Sequence, residues 1–408
     1  MYQPIPQLID LGYSPEIGEL SSVESLIRGA QLGRILDGGE LRLVFDVLST
    51  TERILIFLKD LASKAKAFAE IKETIVPCTN LFQTLDKSLD EEGELKDTAS
   101  KELARIRKSI HSLGGKIEGK LKEFFHGNEK GAQYLQDQYF TKRLGRYVLP
   151  VRLDGRGRFS GTIIDTSVSA QTVFIEPANI KPFNDELLEL AQLEKIEQMR
   201  IFKQISSFVK EESEKIRANY AALITIDYFT ACAQFALKMR AGKAEISSSP
   251  CVDLIKAHHP LLYLNDSKGS VANDIIMDSS HRTLIISGPN AGGKSVVLKT
   301  TGLIHAMAKG GLLVPCDSRS RIFLFEKIHV ELGDAQSLSH NYSSFSGHLN
   351  NLKPILEKAE KKDLILLDEV ATGTEPQTGA AIAQAILERF HEKGCFTLAT
   401  THFDGLKQ

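Results

Sequence analysis

Eight consecutive residues carry the clearest chemistry in this 408-residue chain: Gly288-Pro289-Asn290-Ala291-Gly292-Gly293-Lys294-Ser295. They follow the apolar run Thr283-Leu284-Ile285-Ile286-Ser287 and precede a helical window over 296–308. Glycines at this spacing let successive backbone N–H groups turn inward around phosphate oxygens at a helix N-terminus. Lys294 then reaches the β and γ phosphates, and the Ser295 hydroxyl suits a Mg²⁺ ligand. Strand, loop and helix together predict a Walker A loop that binds ATP and Mg²⁺ through all eight residues, with Lys294 also acting in the reaction.

Hydrolysis needs carboxylates as well, and Leu364-Ile365-Leu366-Leu367-Asp368-Glu369 supplies two at the end of an apolar run, 74 residues after Lys294. Asp368 is placed to join Ser295 in the Mg²⁺ shell, and Glu369 to orient or deprotonate the attacking water. Two adjacent carboxylates at a strand end can also be a plain turn. His402, in Ala399-Thr400-Thr401-His402, ends the next apolar segment 34 residues later. It reads either as a structural histidine or as a sensor of the γ-phosphate. Ser343-Ser344-Phe345-Ser346-Gly347-His348 lies upstream of Asp368, and its Ser and Gly residues suit a helix N-terminus that offers N–H and hydroxyl groups to an anion. The order of these four elements resembles the ABC ATPase superclass, in which the signature of one subunit completes the nucleotide site of another.

The elements that must position these groups can be traced from the uneven punctuation by Gly and Pro. Residues 40–76 contain neither, and 183–241 give 59 more without a break. A single helix over the second stretch would reach ~90 Å. Ile201, Ile205 and Phe208 share one apolar face there, which predicts one very long helix or two joined by a kink, and a coiled coil answers the same periodicity. Between the helical regions, 146–153, 158–165 and 171–176 are short β-branched runs, the first two separated by Asp154-Gly155-Arg156-Gly157, and read as a small antiparallel sheet with a hairpin. From about 250 onward apolar runs alternate with helical windows, as in an α/β nucleotide-binding domain with strands buried on both faces. The expected division is 1–140 helical, 141–182 β-rich, 183–245 a long helical arm, and 250–408 the nucleotide-binding domain.

With 50 Lys+Arg against 52 Asp+Glu, the net charge of −2 gives no global field toward nucleic acid or membrane. The charge is segregated, however: 101–160 hold 14 basic and 6 acidic residues, a net +8. Arg146, Arg152, Arg156 and Arg158 cluster around the expected hairpin, where they suit phosphate contacts or form a solvated basic face. A composition of 42% hydrophobic and 25% charged residues excludes a wholly disordered chain. No uninterrupted apolar run approaches the ~18 residues of a membrane span, and the N-terminus lacks a signal-peptide layout. The five cysteines have neither zinc nor redox spacing and read as reduced thiols of a cytoplasmic protein.

The Walker A octet, Ser343-Ser344-Phe345-Ser346, Asp368-Glu369 and Thr400-Thr401-His402-Phe403 together resemble the MutS family of DNA-repair ATPases. His259-Pro260-Leu261-Leu262 and Ala272-Asn273-Asp274-Ile275 match that family's approach to the P-loop. The runs 146–151 and 169–177, with Gly373-Thr374-Glu375-Pro376 and Gly379-Ala380-Ala381, resemble its second bacterial branch, tied to recombination control. The resemblance covers 140–405 and reaches 1–139 only through helical character. It implies an α+β multidomain chain, with a helical lever and clamp core and a small antiparallel sheet before an ABC-type P-loop ATPase domain. It further implies a homodimer that binds branched or structured DNA and places Asn273, Ser344 and Ser346 at the nucleotide. Binding and splitting of stalled or collided ribosomes, through rRNA contacts, is the rival it carries. No membrane role is implied. The chain stops just past His402, so the family's last strands, dimer-stabilising helices and small nuclease domain are expected to be missing from it. Endonuclease activity is assigned to no residue present, and the Phe-x-Glu triplets lack a mismatch-wedge context.

Overall fold

The computed structural model describes residues 4–403 apart from 12–14, 16, 63–65, 127–131, 168–170, 290–291, 333–343 and 373. Helices and sheets are mixed in an α+β chain that divides into two compact units. One comprises Ile17–Lys64 and Ala69–Ile224; the other comprises Met1–Glu16, Ala65–Phe68 and Thr225–Gln408.

In the first unit the helix Lys101–His126 places Leu113, Ile117, Leu121 and Phe124 on one face, as their three- and four-residue spacing requires. That face packs on a sheet of β1 (Thr141–Arg143), β2 (Arg146–Arg152), β3 (Gly161–Thr166) and β4 (Thr172–Pro177). The strand order is β1-β2-β4-β3, antiparallel throughout. The small sheet read from the sequence is present, but the expected hairpin between its first two long strands is not. Both β2 and β3 pair with β4 instead. Every residue of β4 is buried, so it takes the middle of the sheet, where its backbone groups are paired on both sides.

The stretch expected as one long helix or a kinked pair is two helices, Lys181–Glu211 and Ser213–Lys238, separated at Glu212. Pro182 sits in the first turn, where its missing N–H costs nothing. Ile201 and Ile205 are buried on the predicted face and Phe208 is half-buried. Ser213–Lys238 is long and apolar enough to cross a membrane by length and composition alone. It buries Ile216, Leu223 and Ile226 and exposes Asp227 together with Ile224, Tyr228 and Leu237.

Among the described residues, the second unit holds two sheets. One orders β5 (Glu245–Ser247), β6 (Val252–Ala257), β7 (Asn273–Met277) and β9 (Arg321–Phe323) as β5-β9-β6-β7. The other is fully parallel, with β8 (Thr283–Ser287), β10 (Ile328–Glu331), β11 (Leu364–Leu367) and β12 (Phe396–Thr401) ordered β10-β11-β12-β8. Along β11, Leu364 and Leu366 join a core with Leu298, Ile304 and Phe396, while Ile365 and Leu367 join another with Ala383, Leu387 and Phe390. A strand buried on both faces has no polar side to alternate with, hence its uninterrupted apolar run. β8 departs from that expectation. It lies at the end of the described sheet, and all five of its residues are only half-buried.

Candidate functional site

The parallel sheet aligns its strands so that their C-terminal ends meet the loop after β8. That loop leads into the helix Lys294–Lys309 through Gly293, which caps the helix at φ +76°, a left-handed conformation that glycine adopts without a Cβ penalty. The amide of Gly292 donates to the Pro289 carbonyl at 3.0 Å, closing the turn. Lys294 is buried, and its Nζ donates to the carbonyls of Gly288 at 2.6 Å and Pro289 at 3.0 Å. The ammonium group therefore lies over the carbonyls of its own loop. Asn290 and Ala291 lie outside the described residues.

Strand order decides what meets this loop. Because β12 separates β8 from β11, the carboxylates of Asp368 and Glu369 stand one strand away from the loop after β8, and the end of β12 fills the interval. Ser295 Oγ donates to Asp368 Oδ1 at 2.9 Å. Thr400 Oγ1, from β12, donates to the same oxygen at 2.5 Å and accepts the Glu369 amide at 2.8 Å. His402 Nε2 lies 3.1 Å from Glu369 Oε1. Glu369 and Ala371 hold φ of +51° and +60°, conformations that cost a non-glycine residue energy and persist only where their surroundings enforce them. The turn they form is backed by Gly379, where a Cβ would come within 2.6 Å of Phe403 Cζ and 3.0 Å of the Ala371 carbonyl.

Asn273, at the start of β7, lines a cavity of 530 Å³ with His259, Asp266, Ser270, Gly292 and Gly293. The structure thus brings Asn273 into one cavity with Gly292 and Gly293 of the loop after β8. Burial lowers the pKa of His259, which favours the neutral ring, and its Nδ1 accepts the Leu262 amide at 3.4 Å. The signature segment begins the helix Ser344–Lys358, but the side chains of Ser344 and Ser346 lie outside the described residues. Its last residue, His348, points Nδ1 at Glu331 Oε1, 3.1 Å away at the end of β10. Thr400 and Glu331 were given no role by the sequence. Thr400 was within reach, two residues before a quoted histidine, whereas Glu331 is placed only by the pairing of β10 with β11.

The basic residues belong to the other unit and differ among themselves. Arg146 is drawn into structure: its guanidinium pairs with Glu176 at 2.6 Å and Asp185 at 2.7 Å, and both hold it more strongly protonated. Glu176 is buried and also accepts from Asn184 at 2.8 Å, and a buried carboxylate needs such partners. Arg152, Arg156 and Arg158 are exposed. Arg152 faces Asp154 at 3.3 Å, and Arg158 donates to the Tyr134 hydroxyl at 2.9 Å.

Comparison with known proteins carries the class. Residues 284–408 match MutS domain V. Over 393 residues, 96% of the chain, it is 36% identical to Endonuclease MutS2 of Lacticaseibacillus casei, covering 49% of that protein. Endonuclease MutS2 of Caldanaerobacter subterraneus subsp. tengcongensis is 37% identical over 94% of the chain, with 48% of the relative covered. That of Symbiobacterium thermophilum is 36% identical over 98%, with 50% covered. The chain belongs to the MutS family, and within it to the MutS2 branch. It spans about half the length of the curated relatives it matches.

Proposed function

We propose that the unit containing Thr225–Gln408 is an ABC-type P-loop domain that binds ATP with Mg²⁺ and lets water cleave the bond between its β and γ phosphates, releasing ADP and phosphate. The observation that carries this reading is the hydrogen-bonded set Ser295–Asp368–Thr400–Glu369–His402 at the mouth of the loop holding Lys294. Ser295 and Asp368 fit Mg²⁺: two oxygen donors of the hard type it prefers stand together beside the phosphate loop. When bound, the ion would neutralise charge between the outer phosphates. The chain's own groups do the rest. Lys294 leaves the Gly288 and Pro289 carbonyls for phosphate oxygens, and the Lys294–Lys309 helix presents its N-terminus to them. Glu369 takes a proton from water while His402 holds its carboxylate in place. The cavity beside Asn273 and His259 accepts the base.

In the same reading the chain is a cytoplasmic, homodimeric DNA-binding protein in which nucleotide state opens and closes a clamp on branched or structured duplex and so restrains recombination. The relatives' branch and the exposed Arg152, Arg156 and Arg158 in a +8 segment support it. Ser346 contributes from the partner's side of each nucleotide site. Two substitutions test the ATPase. Lys294→Ala should abolish ATP binding, and Glu369→Gln should keep binding while slowing hydrolysis by ~10²–10⁴-fold. Nucleotide affinity unchanged in the first, or turnover unchanged in the second, removes the assignment.

A further inference from the structure

Glu331 joins two parts of the site that are far apart in sequence. It is the last residue of β10, and its side chain is only 12% exposed. Oε1 accepts from His348 Nδ1 at 3.1 Å and from Asn351 Nδ2 at 3.2 Å. A carboxylate only accepts, so the hydrogen on this bond belongs to His348. Both donors lie on the Ser344–Lys358 helix, three residues apart and thus on one face. The main chain of Glu331 turns the other way: its carbonyl accepts the amide of Asp368 at 2.8 Å, one residue beyond β11. Asp368 in turn holds Ser295 and Thr400. Hydrogen bonds therefore link the signature helix, through Glu331, to the backbone amide of Asp368, whose carboxylate stands beside Ser295.

We propose that Glu331 is a positioning residue through which the signature helix sets the geometry of the Mg²⁺-holding pair Asp368 and Ser295. This deepens the ATPase reading and rests on it. The physical reason is that the helix is tied to a strand end whose backbone is itself paired with β11. β10 and β11 are paired in parallel register from Ile328↔Leu364 to Glu331↔Leu367, so the two strand ends are held side by side. The signature helix is fastened near its N-terminus to that edge by His348 and Asn351. A displacement of the helix pulls on Glu331, and the nearest group attached to Glu331 is the Asp368 amide. Contact made at the signature by a partner is in this way registered where Mg²⁺ would bind.

The test is the gain in ADP affinity on adding Mg²⁺, measured as the ratio of dissociation constants in EDTA and in Mg²⁺, on the full chain. Glu331→Ala should cut that gain by about tenfold, the scale on which outer partners of a metal-holding carboxylate act. Affinity in EDTA should stay within about twofold, since the phosphate loop is untouched. His348→Ala, which leaves the Asn351 donor in place, should lower the gain by less, and the double variant should fall no further than Glu331→Ala alone, because both act on the same path. Glu331→Gln keeps an accepting oxygen and should retain most of the gain, which separates positioning from a general loss of folding. Two controls separate this proposal from the reading beneath it. Lys294→Ala must lose ADP in both conditions and Asp368→Asn must lose the Mg²⁺ gain; if either fails, the nucleotide assignment itself falls. If both controls behave while Glu331→Ala keeps the full gain, or the two alanine effects multiply, the proposal is overturned.

Discussion

Replacing Thr400 by Val removes one oxygen and keeps the shape, so the cost can be worked from two hydrogen bonds. Thr400 is fully buried, and its hydroxyl donates to Asp368 at 2.5 Å and accepts the Glu369 amide at 2.8 Å. The first bond is to a carboxylate and is worth about 1.5–3 kcal/mol. The second leaves a backbone N–H without its partner, at about 1–3 kcal/mol more. These overlap because both groups relax together, and a total of about 3 kcal/mol is expected. With a urea slope of about 2 kcal/mol per molar, the midpoint should fall by roughly 1.5 M. The chain has no tryptophan, so far-UV circular dichroism is the practical signal. ATP turnover should fall as well, by roughly tenfold or more, since both carboxylates lose the group that orients them. Thr400→Ser is the control: it keeps both bonds and loses one methyl group, at about 1 kcal/mol. If the Val variant unfolds at the same urea concentration as the Ser variant and turns over as fast, Thr400 does not position the carboxylates.

Mixing Lys294→Ala with Ser346→Arg subunits should restore about one working site per heterodimer, read as recovered ATP turnover after dimer formation has been measured; this follows from a signature acting in trans. Replacing Arg152, Arg156 and Arg158 together with Ala should weaken binding to every DNA sequence and reduce the salt slope by roughly 0.9 for each phosphate that is no longer neutralised. Matched and singly mismatched duplexes should bind alike, because interactions with phosphates carry no base information. Stability should fall in acid through His305, whose burial lowers its pKa from 6.5 to about 4. The unfolded chain then binds the extra proton first, so about 3 kcal/mol of stability is present above pH 6.5 and is lost as the pH falls toward 4. His305→Leu should flatten the urea midpoint across that window.

Groups whose chemistry is local could be read directly from the chain. The glycine loop, Lys294 and Ser295 are consecutive, and the apolar runs before them and before Asp368 announce strands, because a residue's type and its immediate neighbours decide burial and backbone freedom. β11 fits this rule on both faces. β8 has the same kind of run yet is half-buried, because its burial depends on its place at the end of the described sheet. The hairpin expected between β2 and β3 failed for a related reason: pairing is chosen by which strand can satisfy both of its edges, and the fully buried β4 does so. Arg146 shows the same limit among charges. It sits in a basic cluster by sequence but is committed to Glu176 and Asp185, which only folding brings within hydrogen-bond reach. The order β10-β11-β12-β8 is the decisive tertiary fact. It inserts Thr400 and His402 between loop 288–295 and the carboxylates of Asp368 and Glu369, and it sets Glu331 against Asp368. No period or spacing encodes that order, since it arises from long-range backbone pairing, whereas residue type alone determined which groups were available to be brought together.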